Sequence, residues 1–340
     1  MKSRIHPKYK TKYRVTNWNQ YDKALVRRGD ITLWISEDAI DAWTPKASGK
    51  RGAPQRYSDL AIETALTLRL VYGLPLRQAE GFLRSLLNIM GLDLDAPDHT
   101  TLSRRSRQLN IALKPKASAK PIDLIVDSTG LSTVGQGEWA SAKHGKRGKR
   151  GWRKLYIGVN GEGEIVAQVH TDSNVDDAKT GVELIKQVEG EIKCVIDDAA
   201  YDTTGIYDAA GVRGAEVVVP PVIRAVLSRS KLPLSARDKT VLKVNMVGRR
   251  KWKKESGYHR QGRVENTFFR YKQIFNSKLH ARHEQAQEVE AALACRILNR
   301  MSELGLPVSV EGDWPSHPIL IRRLRGRSDQ LHGLEFDRNR

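Results

Sequence analysis

No apolar run in this chain reaches the ~18 residues that a membrane-spanning helix needs, and its basic N-terminus lacks the apolar stretch of a secretory leader. Neither a membrane span nor a signal peptide is expected. Cysteine is almost missing: Cys194 and Cys295 are the whole supply. Two thiols cannot build a disulfide framework, and no CxxC or Cys/His cluster suggests zinc. Each lies in an apolar run and reads as a small buried hydrophobe. Acidic charge is also scarce, 39 Asp and Glu against 58 Lys and Arg, a formal net charge of +19. Such an excess repels itself in a compact state, so a polyanion, nucleic acid or an anionic membrane, is the natural partner. The expected compartment is the cytoplasm.

What is present is organised by position. The 340 residues suffice for two domains with a large core. Residues 1–56 read as a basic arm and linker, with nine Lys/Arg against two Asp in the first thirty positions and a short helix near Ile35–Trp43 capped by Ser36. Residues 57–115 read as a helical DNA-binding domain. Ser58 is a natural N-cap for a helix carrying Leu60, Ile62, Ala65, Leu66 and Leu70. Gly73-Leu-Pro75 ends it, a second helix runs from Leu76 to Met90, and a third begins near Pro97 with Arg104, Arg105 and Arg107 early in it as candidate DNA contacts. That outline is helix-turn-helix-like. It fits a plain three-helix packing module with solvated arginines as well.

Beyond a Lys/Pro linker the pattern turns to strands: Ile122–Asp127, Lys154–Val159, Glu164–His170, Lys193–Asp198 and Ala215–Val219, with helices at Asp176–Val188 and Ile206–Gly211. The first and fourth strands would each end in an aspartate. The order β-β-β-α-β-α-β-α predicts an α/β domain, a mixed sheet flanked by helices that resembles an RNase H-like domain, over residues 121–306. Within it 220–255 reads as a basic connector, and a helix near Gln287–Leu304 would close the core. Residues 307–340 read as a loosely attached basic tail.

On a helix starting at Tyr258, the residues Tyr258, Gln261, Glu265 and Lys272 fall within an arc of about 60° at ~100° per residue, beside an apolar stripe of Val264, Phe268, Tyr271 and Phe275. Asp127, Asp198 and Glu265 lie 71 and 67 residues apart, so they can meet only through tertiary structure. Three gathered carboxylates repel one another and need a cation, and hard Mg²⁺ or Mn²⁺ suits their oxygens. Two such ions roughly 3.5–4 Å apart would activate an attacking oxygen and stabilise a leaving one. Taken alone, a strand-end aspartate reads as a turn or cap residue. Spacing does not choose between Asp197 and Asp198.

Asp127-Ser-Thr-Gly130, Asp198-Ala-Ala-Tyr-Asp202 and Tyr258-x-x-Gln261-x-x-x-Glu265 followed by Lys272 resemble the three signature regions of DDE transposases. Specifically, they resemble the IS5 family of bacterial insertion-sequence transposases, within the wider IS4-like group. The resemblance extends to Lys143-His-Gly with Trp152-x-Lys154 and to Leu298-Asn-Arg300, about residues 50–310. The resemblance implies Asp127, Asp198 and Glu265 as catalytic metal ligands for two ions, selects Asp198 over Asp197, and makes Asp202 structural. It gives Tyr258 and Lys272 contacts to DNA. Gln261 stands where the family has a DNA-contacting arginine, and Arg260 and Arg263, which flank it, are the expected substitutes in contacting DNA. The implied partners are double-stranded DNA with terminal inverted repeats and target DNA, held by a homodimer or larger assembly. A catalytically impaired or domesticated relative and a stand-alone metal-dependent nuclease are the alternatives.

The segment Lys143–Lys154 carries seven Lys/Arg and no acid, and its glycines would let backbone approach phosphates. Lys143, Lys146, Arg147, Lys149, Arg150 and Trp152 are expected to face DNA. The stretch Arg224–Lys254 has eleven Lys/Arg and one Asp, suiting non-specific phosphate contact, with Trp252 in the core.

Overall fold

The computed structural model describes residues 13–45, 54–133, 151–228 and 233–311. In chain order the first elements are β1 (Tyr13–Val15), α1 (Trp18–Arg27), α2 (Glu37–Asp41), α3 (Asp59–Val71), α4 (Leu76–Ile89) and α5 (His99–Arg105). Next come β2 (Ile122–Thr133), β3 (Trp152–Val159), β4 (Ile165–Asp172), α6 (Asp177–Gln187), β5 (Ile192–Ile196), α7 (Thr204–Val212) and β6 (Glu216–Val218). The last are α8 (Ala236–Val247), α9 (Arg249–Glu255), α10 (Gly262–Phe275), β7 (Lys278–Leu279), α11 (Glu284–Glu303) and β8 (Ser309–Glu311). No helix among the described residues is long and apolar enough to cross a membrane.

The chain divides into two compact units, one of Met1–Asn19 with Pro307–Arg340 and one of Gln20–Leu306. In the first, β1 pairs antiparallel with β8, so part of the segment expected as a loose tail is a strand. The second holds both the helices read as residues 57–115 and the sheet domain read as 121–306.

Local chemistry sets the helix starts. Ser36 and Ser58 each accept a hydrogen bond from the N–H three residues on, and Asp98 accepts those of Thr100 and Thr101 at 2.9 Å. Gly73, with φ +64°, allows the turn between α3 and α4 that a β-carbon would strain. The third helix is shorter than its pattern suggested: Arg104 and Arg105 sit in its last turn and Arg107 lies past its end. The expected basic connector is largely helical, as α8 and α9, and Trp252 is buried there as read.

The main sheet runs β4-β3-β2-β5-β6, with β7 added along β2. β3 is antiparallel to β2 and β4, whereas β5 is parallel to β2 and to β6. A mixed sheet flanked by helices was expected, and it is found. One expectation fails in detail: β2 spans twelve residues, so Asp127 lies in mid-strand rather than at its end. Pairing of Asp127 with Ile157 and of Ser132 with Trp152 carries the strand onward.

Alternation sorts the two faces. Leu124, Val126 and Val195 join α6 and α7 in one core, through Leu184, Ile185, Ile206 and Ala210. Ile125, Leu131, Cys194 and Ile196 join the other, with Val264, Phe268 and Tyr271 of α10, Leu293 and Ile297 of α11, and Ile62, Leu66, Leu83 and Leu102 of α3–α5. Helices α3–α5 therefore close over the same core as the sheet. Asn299 fastens α11 to β4: its Oδ1 accepts the Ile165 N–H and its Nδ2 donates to the Ile165 carbonyl, both at 2.8 Å. Loss of that side chain would leave two buried backbone groups unpaired, costing about 1–3 kcal/mol each.

Candidate active site

Two parallel strands place the first pair of carboxylates. Ile125 of β2 is in register with Ile196 of β5, and Asp127 and Asp198 each lie two residues further on. Two steps along an extended strand return a side chain to the same face, here the one covered by α10. Asp197, one step on, has the parity of Val195 and turns toward the opposite core, where it is fully buried. Its Oδ1 accepts the Asp198 N–H at 2.9 Å. Asp198 is exposed and caps the short 3₁₀ turn Ala199–Tyr201 by accepting the Ala200 N–H at 2.7 Å. Alternation along 195–198 was a sequence signal that separates the two aspartates, and it went unused.

The third carboxylate comes from α10. Val264, Thr267, Phe268, Tyr271 and Phe275 are buried along it, as the apolar stripe predicted, and Glu265 is exposed. Tyr258–Gln261 is a 3₁₀ turn rather than the start of that helix, so the single arc drawn through Tyr258, Gln261, Glu265 and Lys272 does not hold. Gln261 is buried, and its Nε2 donates to the Val126 carbonyl at 2.9 Å. This bond ties the residue before Asp127 to the turn that leads into the helix bearing Glu265.

Electrostatics connects the three. Burial pushes the Asp127 carboxyl up to about 6, and the charges of Asp198 and Glu265 push the same way, against the N–H donated by Ser128. Tyr258 is pushed up to about 12 by burial and by the charges of Asp198, Asp197, Glu265 and Asp127. Burial holds Asp197 far above the usual carboxylate range, with the charges of Asp198 and Asp127 adding to it. Among the described residues no Lys or Arg pairs with Asp127, Asp198 or Glu265. Uncompensated hard oxygens of this kind fit a divalent cation. As placed, no group of three His, Cys, Asp or Glu side chains among the described residues closes on a single ion.

The remaining expected positions separate into inward and outward groups. Arg260 is committed inside, paired with Asp123. Arg105 is buried, donating to the Tyr57 carbonyl at 3.0 Å and pairing with Asp59 at 2.5 Å. Arg104, Arg107 and Arg263 are exposed, and Lys272 is half-buried. Trp152 is 47% exposed, its ring over Gly130, where an added β-carbon would stand 3.4 Å from it. Lys143, Lys146, Arg147, Lys149 and Arg150 lie outside the described residues. Asp202 is buried and accepts a two-pronged contact from Arg237, at 2.8 and 2.9 Å. Lys154 and Tyr156 both donate to Asp177 at the start of α6, at 2.7 and 2.6 Å. Asp123 and Asp177 were not foreseen; their partners lie 137 and 23 residues away, and no local pattern marks them.

A mixed sheet with two aspartates on one face and a glutamate on the helix over it is an arrangement whose oxygens could serve divalent cations in phosphoryl transfer. A family profile described as "Transposase DDE domain" matches residues 118–300, and a second with the same description matches 26–136. The chain belongs to the DDE transposases, metal-dependent enzymes that act on DNA. Among solved structures it is similar to a piggyBac transposase in a synaptic complex with hairpin DNA, at 12% identity and a TM-score of 0.37, covering 82% of this chain and 73% of that one. An overlap that low transfers nothing to this chain.

Proposed function

We propose that this chain is an insertion-sequence transposase of the IS5 type, which binds the terminal inverted repeats of its element, cuts DNA there and joins the freed end to target DNA. The observation carrying the reading is the shared register of Asp127 and Asp198 beneath the helix of Glu265, with Asp127 pushed up by burial first and by the charges of the other two in addition. The strand order supports an RNase H-like sheet: three antiparallel strands in sequence, then two more parallel to the first.

Asp127, Asp198 and Glu265 would hold two divalent ions, Mg²⁺ or Mn²⁺, whose chemistry when bound is charge neutralisation and activation of the attacking oxygen. The protein's own part is positional. Gln261 anchors the backbone beside Asp127, and Asp197 fixes the Asp198 amide from below. Tyr258 keeps its hydroxyl proton at neutral pH and can donate it to a phosphate oxygen. Arg263 and Lys272 add cationic contacts near the helix of Glu265, and Arg104 and Arg107 of the helical region face the repeats. Transposition needs two DNA ends held together, so a dimer or larger assembly on DNA is part of this reading.

The test uses Asp127→Asn, Asp198→Asn and Glu265→Gln with duplexes bearing the element's ends. Each variant should lose at least ~10³-fold in strand cleavage while binding the ends within about twofold, because only the reacting phosphate requires the charges. Retained cleavage in any one of the three would remove it from the site.

A further inference from the structure

A cleft of about 510 Å³ opens where α3, the start of α4 and the end of α5 meet α11 and the segment between β7 and α11. Its walls carry Arg69, Arg77, Arg107 and Arg282 with His280 and His283, and among the described residues the one carboxylate lining it is Glu290. Glu290 answers only Arg69, at 3.8 Å, and leaves the other three arginines without it. It is 7% exposed, and its two oxygens accept the N–H groups of His280 and Ala281 at 2.8 Å each. Gln287, 1% exposed, donates to the Ala281 carbonyl at 3.0 Å. Two buried polar side chains of α11 therefore grip the backbone of 280–281 from beneath and set Arg282 and His283 outward. The hydrogen bonds these groups make offset the cost of burying them and hold the loop in one shape.

Arg77, Arg107 and Arg282 are exposed, and none forms an ion pair among the described residues. The depression does not end there. A second cleft of about 300 Å³ shares Arg69, His280 and Glu290 and reaches Leu131 of β2 and Tyr271 of α10, the elements that bear Asp127 and Glu265. On its other side a shallower cleft shares Arg77 and Arg107 and reaches Arg104.

We infer that this groove is a composite seat for the sugar-phosphate backbone of duplex DNA, formed jointly by the helical region and the loop before α11. The inference rests on the transposase reading and extends it: Arg77 and Arg282, from distant parts of the sequence, join Arg107 in one contact surface. Charge complementarity favours a polyanion with evenly spaced phosphates. Each arginine that meets a phosphate releases about 0.9 of a counterion, which appears in the salt slope of binding.

The experiment measures fluorescence anisotropy of a labelled random-sequence duplex with the full chain, in EDTA, from about 0.05 to 0.2 M salt. Arg77→Ala, Arg107→Ala and Arg282→Ala should each lower the slope by about one, and the triple variant by about three, with at least tenfold weaker binding at the low-salt end. A charge-matched control, Lys179→Ala with Lys186→Ala and Lys193→Ala on α6 and β5, should leave the slope within one. Arg77→Lys with Arg107→Lys and Arg282→Lys should retain it, so that a fall caused by misfolding is recognised. An unchanged slope in the triple variant, or an equal fall in the control, overturns the groove. Because no divalent ion is present, cleavage plays no part: failure here leaves the carboxylate site standing, and failure to cleave leaves the groove standing.

Discussion

The carboxylate site and the basic cleft handle charge in opposite ways. At the sheet, Asp198 and Glu265 are exposed and Asp127 partly so, with no described Lys or Arg to answer them. At the cleft Arg77, Arg107 and Arg282 face outward, and the acid is turned in: Glu290 accepts two backbone N–H groups and pairs only with the half-buried Arg69. One region thus keeps uncompensated negative charge, the other uncompensated positive charge. Neither arrangement stabilises the free protein, since like charges gathered without partners repel one another. Both suit a complex in which divalent ions answer the first and phosphates the second.

The sharpest contrast lies within one dipeptide. Asp197 and Asp198 are chemically identical and adjacent, yet one is fully buried on the far face and the other exposed over the site. Asp198→Asn should abolish strand cleavage, a loss of at least ~10³-fold. Asp197→Asn keeps an oxygen that can accept the Asp198 N–H and should cut within about tenfold of the parent protein, since only positioning is disturbed. Gel-based cleavage assays of the two variants side by side check this. The reverse ranking would mean that the alternation along β5 breaks before the site.

A second pair tests the cleft. Arg104 and Arg105 are neighbours, but Arg105 is 7% exposed and holds the Tyr57 carbonyl and Asp59, whereas Arg104 is exposed. Arg105→Ala should cost about 2–3 kcal/mol in urea denaturation, because it leaves a buried carbonyl unpaired. Arg104→Ala should leave stability within about 0.5 kcal/mol and lower the salt slope of DNA binding by about one. If the stability loss fell on Arg104 instead, the orientation of α5 would be wrong.

These contrasts also mark what the sequence made legible. Helix starts were plain because a cap needs only a serine or aspartate two or three residues from its donors, as at Ser36, Ser58 and Asp98. Strand succession was plain for the same reason, apolar alternation being local. The choice of Asp198 over Asp197 came only through resemblance, and the meeting of the three carboxylates depends on the register of β2 with β5 and on α10 crossing above. Arg105 was read as a DNA contact because nothing local shows that Tyr57 and Asp59 lie against it. Strand β2 was cut short at Asp127 because a polar run, Asp127-Ser-Thr, ends the apolar signal although the hydrogen-bonded ladder with β3 continues. Arg282 gave no signal at all, since its outward setting depends on Gln287 and Glu290, which the helix pattern alone would leave as surface residues.

The smallest effect is on stability, and it turns on Asp127. Its folded carboxyl is raised to about 6 from an ordinary value of 3.8. Between those values the folded protein keeps a proton that the unfolded chain has released. Stability of the metal-free protein must then fall as pH rises through that window, and this contribution levels off above about 6. Asp127→Asn removes the charge and with it this part of the slope. Because Asp127 retains some solvent contact, the gain at neutral pH should be on the order of 1 kcal/mol. Asp197, raised in the same direction, leaves a residual slope in the variant. Urea denaturation in EDTA at about pH 4.5 and 7 measures the difference, and repetition with Mg²⁺ sharpens it. The parent protein should recover stability at pH 7 when the cation is added, and Asp127→Asn should gain little. A variant less stable than its parent at pH 7 in EDTA would show that the Asp127 charge is already compensated in the free protein, which would undo the contrast between the two regions.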